Sequence, residues 1–305
     1  MSALPRLRGH GSLAAALNRQ FLRAGLSPLI TAKMRRGHRL IVDTRAQFQA
    51  DVLYNQGEYD EAKIALLAAL IRPGTTFVDL GANIGFYTVP LAVAAKAGGG
   101  VVVAFEPHPA NYRRLSENVA LNGLNDYVRL FELGLSSEEG EAELVLRQGF
   151  EEGGEVGNAA LAVNDEMDRQ FARVTIRLAR LDDVVETMKL GRVDAIKADI
   201  EGHEDLFLAG AQQTVRRERP IMLIEIFRSY YVRRGVDIDR RLPELLPPDY
   251  AFYRLAPSAV DWLWRGAPPR LKRLSSLAAL PGMADVWAIP REREAGFIEA
   301  ASRAI

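Results

Sequence analysis

Short apolar runs and longer stretches of helical spacing alternate along most of the chain. The runs are Phe77–Leu80, Val101–Phe105, Val128–Leu133, Val193–Ile200 and Ile221–Ile226, the second wholly apolar and the others interrupted by Asp79, by Arg129 and Glu132, by Asp194, Lys197 and Asp199, and by Glu225. Runs of this length, rich in β-branched residues, read as strands buried on both faces. Between them, Ile64, Leu67, Ala68 and Ile71 recur at helical spacing after Asp60 and Glu61. Tyr112, Leu115, Val119 and Leu121 do the same after Pro109, and Asn122-Gly123 closes that helix. Further helices are expected from Tyr87 to Lys96, after Leu181-Asp182-Asp183, and from His203 to Ala209. Strands alternating with helices predict an α/β fold, a mostly parallel sheet wound on both faces. Two last strands, Tyr250–Leu255 and Asp285–Ile289, are bracketed by prolines and predict an antiparallel hairpin at one edge.

The flanks break this rhythm. Residues from about 1 to 36 read as a helical leader, followed by a short edge strand at Arg39–Asp43 and another short element at Asp51–Gln56. Leu144–Leu146 reads as part of a hairpin after the Glu139-Gly140 turn. Gln148–Asp165 is rich in glycine and acid, and a long structureless loop in a compact domain is mobile or functional. Trp262–Arg273 is an insertion of aromatic and basic residues. The expected organisation is a helical, basic leader and cap over 1–56, an α/β domain over 57–291 and a helical tail over 292–305.

Composition narrows the chemistry. There is no cysteine among the 305 residues, which removes disulfides, thiolate zinc sites and a cysteine nucleophile. Formal net charge is zero, so no global field points to nucleic acid. The segment Met1–Val42 carries Arg6, Arg8, Arg19, Arg23, Lys33, Arg35, Arg36 and Arg39 and no acidic residue. It reads as a solvated amphipathic helix packed on the domain, with contact to an anionic surface as the alternative. No apolar run approaches membrane-spanning length and no secretory cleavage pattern follows the leader. A soluble, cytoplasmic protein without a transmembrane segment is expected.

The densest chemistry lies in Thr76–Pro90, TFVDLGANIGFYTVP. A strand, a small-residue turn from Gly81 to Gly85 and an apolar helix make a site for a nucleotide-like ligand at the helix amides. Asp79 stands at the strand end, able to accept hydrogen bonds from a ligand or from the turn. Glu106 ends the next strand, where an acid can take both ribose hydroxyls of an adenosine. Asn83 stands where G-x-G-x-x-G would have its second glycine, which argues against a dinucleotide. An adenosyl ligand without a pyrophosphate, S-adenosyl-L-methionine, fits better.

Polar chemistry gathers at the other strand ends too: Asp199, Glu201 and His203 after the fourth core strand, and Glu225 in the fifth. Lys197 alternates with its strand neighbours and reads as an ion-pair partner below the site. With Val78–Gly85, Phe105-Glu106-Pro107, Asn118–Asn122, Gly157–Leu161, Lys197–Gly202 and Ile224-Glu225 in view, the chain resembles FkbM-type methyltransferases. The likeness covers about Gly57 to Ile226 and is weaker through Pro290. It implies the Rossmann-like, seven-stranded methyltransferase fold over 57–291, S-adenosylmethionine as methyl donor, and O-methylation of a sugar, glycan, polyketide or related metabolite.

On this reading Asp79, Gly81, Asn83, Gly85, Glu106 and Pro107 hold the cofactor. The acceptor, a small molecule or glycan, meets Asn158 and Glu225. His203 is the first candidate for its proton, because imidazole titrates near neutral pH. Asp199 is the next, in the same group as Glu201. A histidine at position 203 is not fixed by the family pattern, so its role rests on this chain alone. Asp199 and Glu225 could instead offer hard oxygen ligands to magnesium. The competing readings are a nicotinamide-dependent oxidoreductase and a non-catalytic S-adenosylmethionine-binding protein.

Overall fold

The computed structural model describes residues 25, 27–54, 57–146, 159–161, 170–256 and 269–304. It opens with an antiparallel pair, β1 (Leu29–Lys33) and β2 (Arg39–Asp43). This corrects the expected helical leader, as far as it is described. Ile30 and Thr31 are β-branched, and Gly37 at φ +91° lets the chain reverse so that Lys33 meets Arg39. Helix α1 (Gln47–Tyr54) replaces the short element expected from Asp51, and α2 (Glu61–Leu70) follows.

All five apolar runs become strands of one sheet. In chain order they are β3 (Thr76–Leu80), β4 (Val101–Phe105), β5 (Val128–Phe131), β10 (Ala195–Ala198) and β11 (Ile221–Phe227). Helices α3 (Thr88–Gly98) and α4 (Pro109–Leu121) link the first three. Between β5 and β10 lie β6 (Gly134–Leu135), β7 (Gly140–Leu146), β8 (Ala159–Leu161), β9 (Ala172–Ala179) and α5 (Leu181–Thr187). After β10 come α6 (Glu204–Ala209) and α7 (Gln212–Glu218), and after β11 come α8 (Arg228–Arg233) and α9 (Ile238–Leu245). The chain then runs through β12 (Tyr250–Ala256), β13 (Arg270–Arg273), β14 (Met283–Pro290) and α10 (Glu294–Ala304).

The main sheet has eight strands in the order β13-β12-β14-β11-β10-β3-β4-β5, parallel from β11 to β5 and antiparallel beyond. The α/β expectation therefore holds with one strand more than the seven anticipated. The extra strand is β13, from the basic end of the Trp262–Arg273 stretch; residues 262–268 lie outside the described set. The final pair, β12 and β14, is antiparallel at that edge as expected, with β14 next to β11 and β13 outermost. A second sheet, β6-β9-β7-β8, stands apart; the sequence shows two of its strands, at Leu144–Leu146 and at Val174–Leu178.

Two apolar layers hold the main sheet. One joins Phe77, Val102, Leu223 and Trp287 to α2, α3, α4 and α10. The other joins Val78, Val103, Ile196 and Ile224 to α5 through α9. Alternate residues of the central strands serve alternate layers, which is why β4 is apolar throughout and β3, β10 and β11 are each broken by a single charge, Asp79, Lys197 and Glu225. Asn118 of α4 ties the N-terminal hairpin to the glycine turn. Its Oδ1 accepts from the Ile41 amide at 2.6 Å and its Nδ2 donates to the Ile84 carbonyl at 2.8 Å. Asn122 repeats the clasp on Arg39, accepting at 2.9 Å and donating at 2.7 Å. Among the described residues no helix is long and apolar enough to cross a membrane.

Strand order reverses between β3 and β10, because the chain goes outward through β4 and β5 before returning to β3's other side. In an open parallel sheet that switch point opens a crevice at the carboxyl ends of the strands.

Candidate active site

The turn after β3 is shaped first by packing. Gly81 has φ +70°, and a Cβ there would stand 2.0 Å from the Asp199 carbonyl oxygen. Glycine is thus required by the approach of β10's end, whatever binds above. Gly85, at φ +101°, would press a Cβ to 3.0 Å from both Leu115 and Val89 beneath the turn. Asn83 takes φ +52°, a region asparagine tolerates, and its side chain accepts from the Ile84 amide at 2.7 Å. Its own amide donates to Glu106 Oε2 at 2.8 Å, so the turn is latched to the acid on β4.

Glu106 is buried and also accepts from the His108 amide at 3.0 Å and Asn111 Nδ2 at 3.4 Å. Burial pushes its carboxyl up to about 7, against the pull of those hydrogen bonds. A carboxylate has about four acceptor positions, so three protein donors leave capacity for a ribose hydroxyl.

Beside it lies a cleft of about 400 Å³, within the range of small-ligand sites. Phe105, Leu133 and Leu135 form one apolar wall, and Leu144, Ile176 and Leu178 bring in the second sheet. An acid for the ribose beside an apolar slab for the purine fits an adenosyl group. Of the expected cofactor residues, Gly81, Asn83, Glu106 and Pro107 line this cleft. Asp79 and Gly85 sit under the turn: Asp79 is fully buried and accepts from Thr88 Oγ1 at 2.6 Å.

A pH dependence follows. Ribose hydroxyls donate best to an ionised Glu106, so S-adenosylmethionine affinity should fall up to about ten-fold per unit as pH drops below about 7. Glu106→Gln should be weaker by roughly 1–3 kcal/mol at pH 8 and flat with pH. Calorimetry at pH 6 and pH 8 reads both, and a wild-type affinity independent of pH would remove the assignment. For folding the sign is opposite. The folded protein keeps a proton between 4.5 and about 7 that the unfolded chain has released, so stability from this group declines as pH rises through that window.

The other end of the cleft is charged. Lys197 pairs with Asp79 directly across β10 and β3, which puts both side chains on the same face of the sheet. Its ammonium lies 3.0 Å from Asp199 Oδ2 and 3.8 Å from Asp79 Oδ1, and 4.9 Å over the Tyr87 ring. The expected ion pair exists, yet Lys197 lines the cleft itself instead of lying below it. Burial works against its charge, but Asp199 and Asp79 outweigh that and hold it protonated.

Asp199 and Glu225 are hydrogen-bonded to each other. Burial, then the neighbouring Asp199 charge, pushes Glu225 up to about 10, so it carries the shared proton at neutral pH. Burial alone would raise Asp199; the Lys197 ammonium and the hydrogen bond from Glu225 bring it below the usual carboxylate range. A divalent ion at this pair would have to displace the shared proton. Among the described residues no three His, Asp or Glu side chains converge as a metal-ligand group.

His203 and Glu201 also line the cleft. His203 precedes α6 as its N-cap residue, and burial followed by the Arg234 charge pushes its imidazole down to about 4. It is therefore neutral at physiological pH and a weak base. Glu204 fixes this corner, accepting from the Ile200 amide at 3.0 Å, the Gly202 amide at 3.3 Å and the Tyr231 hydroxyl. Asn158 lies outside the described residues. Sequence reasoning missed Phe48, Tyr59 and Tyr87, which face the cleft from an aromatic cluster with Phe86. Nothing local marks Phe48 or Tyr59, because they reach the site from outside the strand-end motifs.

A sequence model of the methyltransferase FkbM domain matches residues 79–252, more than half of the chain. Methyltransferase sdnD of Sordaria araneosa is 27% identical over 242 residues, covering 68% of this chain and 88% of that protein. The 2-O-methyltransferase NoeI of Sinorhizobium fredii is 27% identical over 162 residues, 50% of this chain and 64% of its own length. A solved structure of methyltransferase FkbM from Methylobacillus flagellatus superposes with a TM-score of 0.45 at 16% identity, covering 91% of this chain and 58% of that one. The nicotinamide alternative gives way to this assignment. The chain belongs to the FkbM family of S-adenosylmethionine-dependent methyltransferases.

Proposed function

We propose that this methyltransferase moves the methyl group onto a hydroxyl oxygen of a small-molecule or glycan acceptor, giving a methyl ether. The observation that carries the reading is the Lys197–Asp199–Glu225 group in the same cleft as the Gly81 turn. The relative named a 2-O-methyltransferase supports the choice of oxygen.

S-adenosylmethionine supplies an activated methyl on a positive sulfur. Glu106, Asn83 and the Gly81 turn hold the adenosyl end, and the apolar walls keep water from the transfer site. The acceptor hydroxyl approaches Asp199, which takes its proton while the new C–O bond forms. A low-affinity base suffices, because the attacking oxygen becomes strongly acidic only as it gains the methyl carbon. Glu225 steadies Asp199 through the shared hydrogen bond, and Lys197 keeps it ionised until the proton arrives. His203, first in line on sequence grounds, is likewise a weak base and comes second because it takes no part in the Lys197–Asp199–Glu225 group.

Mass spectrometry of reactions with methyl-labelled S-adenosylmethionine and a panel of glycosides and other alcohols tests this. The expected product is an O-methyl ether with one equivalent of S-adenosylhomocysteine. Label found on nitrogen or carbon would overturn the oxygen assignment. Cofactor binding without transfer to any alcohol would favour the non-catalytic alternative.

A further inference from the structure

Four rings stand over the charged end of the cleft. Phe48 and Tyr59 meet edge-on at 5.4 Å, Tyr59 lies 4.7 Å from Phe86, and Tyr59 and Tyr87 are T-shaped at 5.7 Å. The two tyrosines differ in their hydroxyls. Tyr87 donates to Asp60 Oδ2 at 2.7 Å, so its polar end is occupied. Tyr59 makes no hydrogen bond to any described residue, although its ring is fixed on three sides and lines the cleft. Asp60, Asp199, Glu225 and Asp285 lie close enough to oppose its ionisation, and burial opposes it more, so the phenol stays a donor. The hydroxyl is not sealed off by protein, so an oxygen of a ligand in the cleft can accept from it.

The geometry points to Tyr59 as an acceptor-binding residue that donates a hydrogen bond to a second oxygen on the acceptor, next to the hydroxyl that meets Asp199. The acceptor is then a cyclic alcohol with vicinal oxygens, one face of its ring on the aromatic cluster. Tyr59 and Phe48 precede residue 79, where the match to the family model begins. The inference rests on the hydroxyl-acceptor reading above.

The test compares trans-cyclohexane-1,2-diol with cyclohexanol as probes, using labelled S-adenosylmethionine, the wild type and Tyr59→Phe. The wild type should methylate the diol with a kcat/KM about ten-fold above cyclohexanol, one hydrogen bond's worth. Tyr59→Phe should erase that ratio through KM, with cofactor affinity from calorimetry unchanged. Equal wild-type rates on the two probes, or a variant that slows both alike, would overturn the inference and leave Tyr59 a packing residue. If cofactor binds and neither probe is methylated while glycosides are, the small vicinal unit is not what the site reads, and the inference falls alone. If no alcohol is methylated, the hydroxyl reading fails and takes the inference with it.

Discussion

Lys197→Met should cost about 3–5 kcal/mol of folding stability, the usual consequence of leaving a buried charge without its partner. Methionine nearly matches the volume of lysine, so packing is not the cause. Asp79 is fully buried, Thr88 satisfies one of its oxygens, and Oδ1 has no hydrogen bond, only the Lys197 ammonium at 3.8 Å. Without that ammonium Asp79 must protonate or be exposed. The deficit should therefore be larger at pH 8 than at pH 5, where protonating a buried carboxyl is easier. In the wild type, Lys197 is held above its ordinary 10.5, so its contribution is complete below that value and fades only as pH rises past it. Urea unfolding reads the difference. Adding Asp79→Asn to Lys197→Met should recover part of the loss, and a single-variant deficit under about 1 kcal/mol would show that Asp79 is compensated otherwise.

Asp199→Asn should lower kcat by about 10²–10⁴-fold, the range for removing a general base, while cofactor affinity changes little. Asparagine keeps the shape and cannot take the proton. Glu225→Gln is the informative companion. At neutral pH Glu225 already carries a proton and donates, and glutamine donates from the same place, so kcat near pH 7 should stay within a few-fold of wild type. His203→Ala should fall between the two. Single-turnover rates with labelled cofactor separate these outcomes. A large loss in Glu225→Gln with little in Asp199→Asn would exchange the roles assigned to the two acids.

Much of this was legible because the central strands are buried on both faces. Val101–Phe105 is apolar without alternation, Phe77–Leu80 and Ile221–Ile226 are broken by Asp79 and Glu225 alone, and no other element explains such short runs with acids at their ends. The acids at those ends announced the site for the same reason, since a charge at the rim of a buried strand needs a purpose. What failed was whatever depends on long-range pairing. Leu29–Lys33 is a strand only because Arg39–Asp43 pairs with it and Asn118 and Asn122 clasp the second strand. β8, inside the stretch expected to be without structure, is a strand by pairing with β7, and β13 needs β12 to exist. The burial of His203, which pushes its imidazole down to about 4, was not written in the neighbouring residues either. Lys197 was placed on the wrong side of the site because strand alternation was counted from its neighbours, whereas the register with Asp79 decides which face it shares.

The Asn118 clasp joins the N-terminal hairpin and the glycine turn through one side chain. A single amide holds the strand that leads into the α1 segment and also the carbonyl of Ile84 within the cofactor turn. If filling the turn stiffens that amide, the aromatic cap above the acceptor stiffens with it, and the entropy of ordering is lost once for two ligands. Reciprocity then binds the two affinities to one factor: whatever the cofactor does for the acceptor, the acceptor does for the cofactor. Calorimetric titration of S-adenosylhomocysteine with and without a bound alcohol measures that factor, and a value of one would mean that cap and turn act independently.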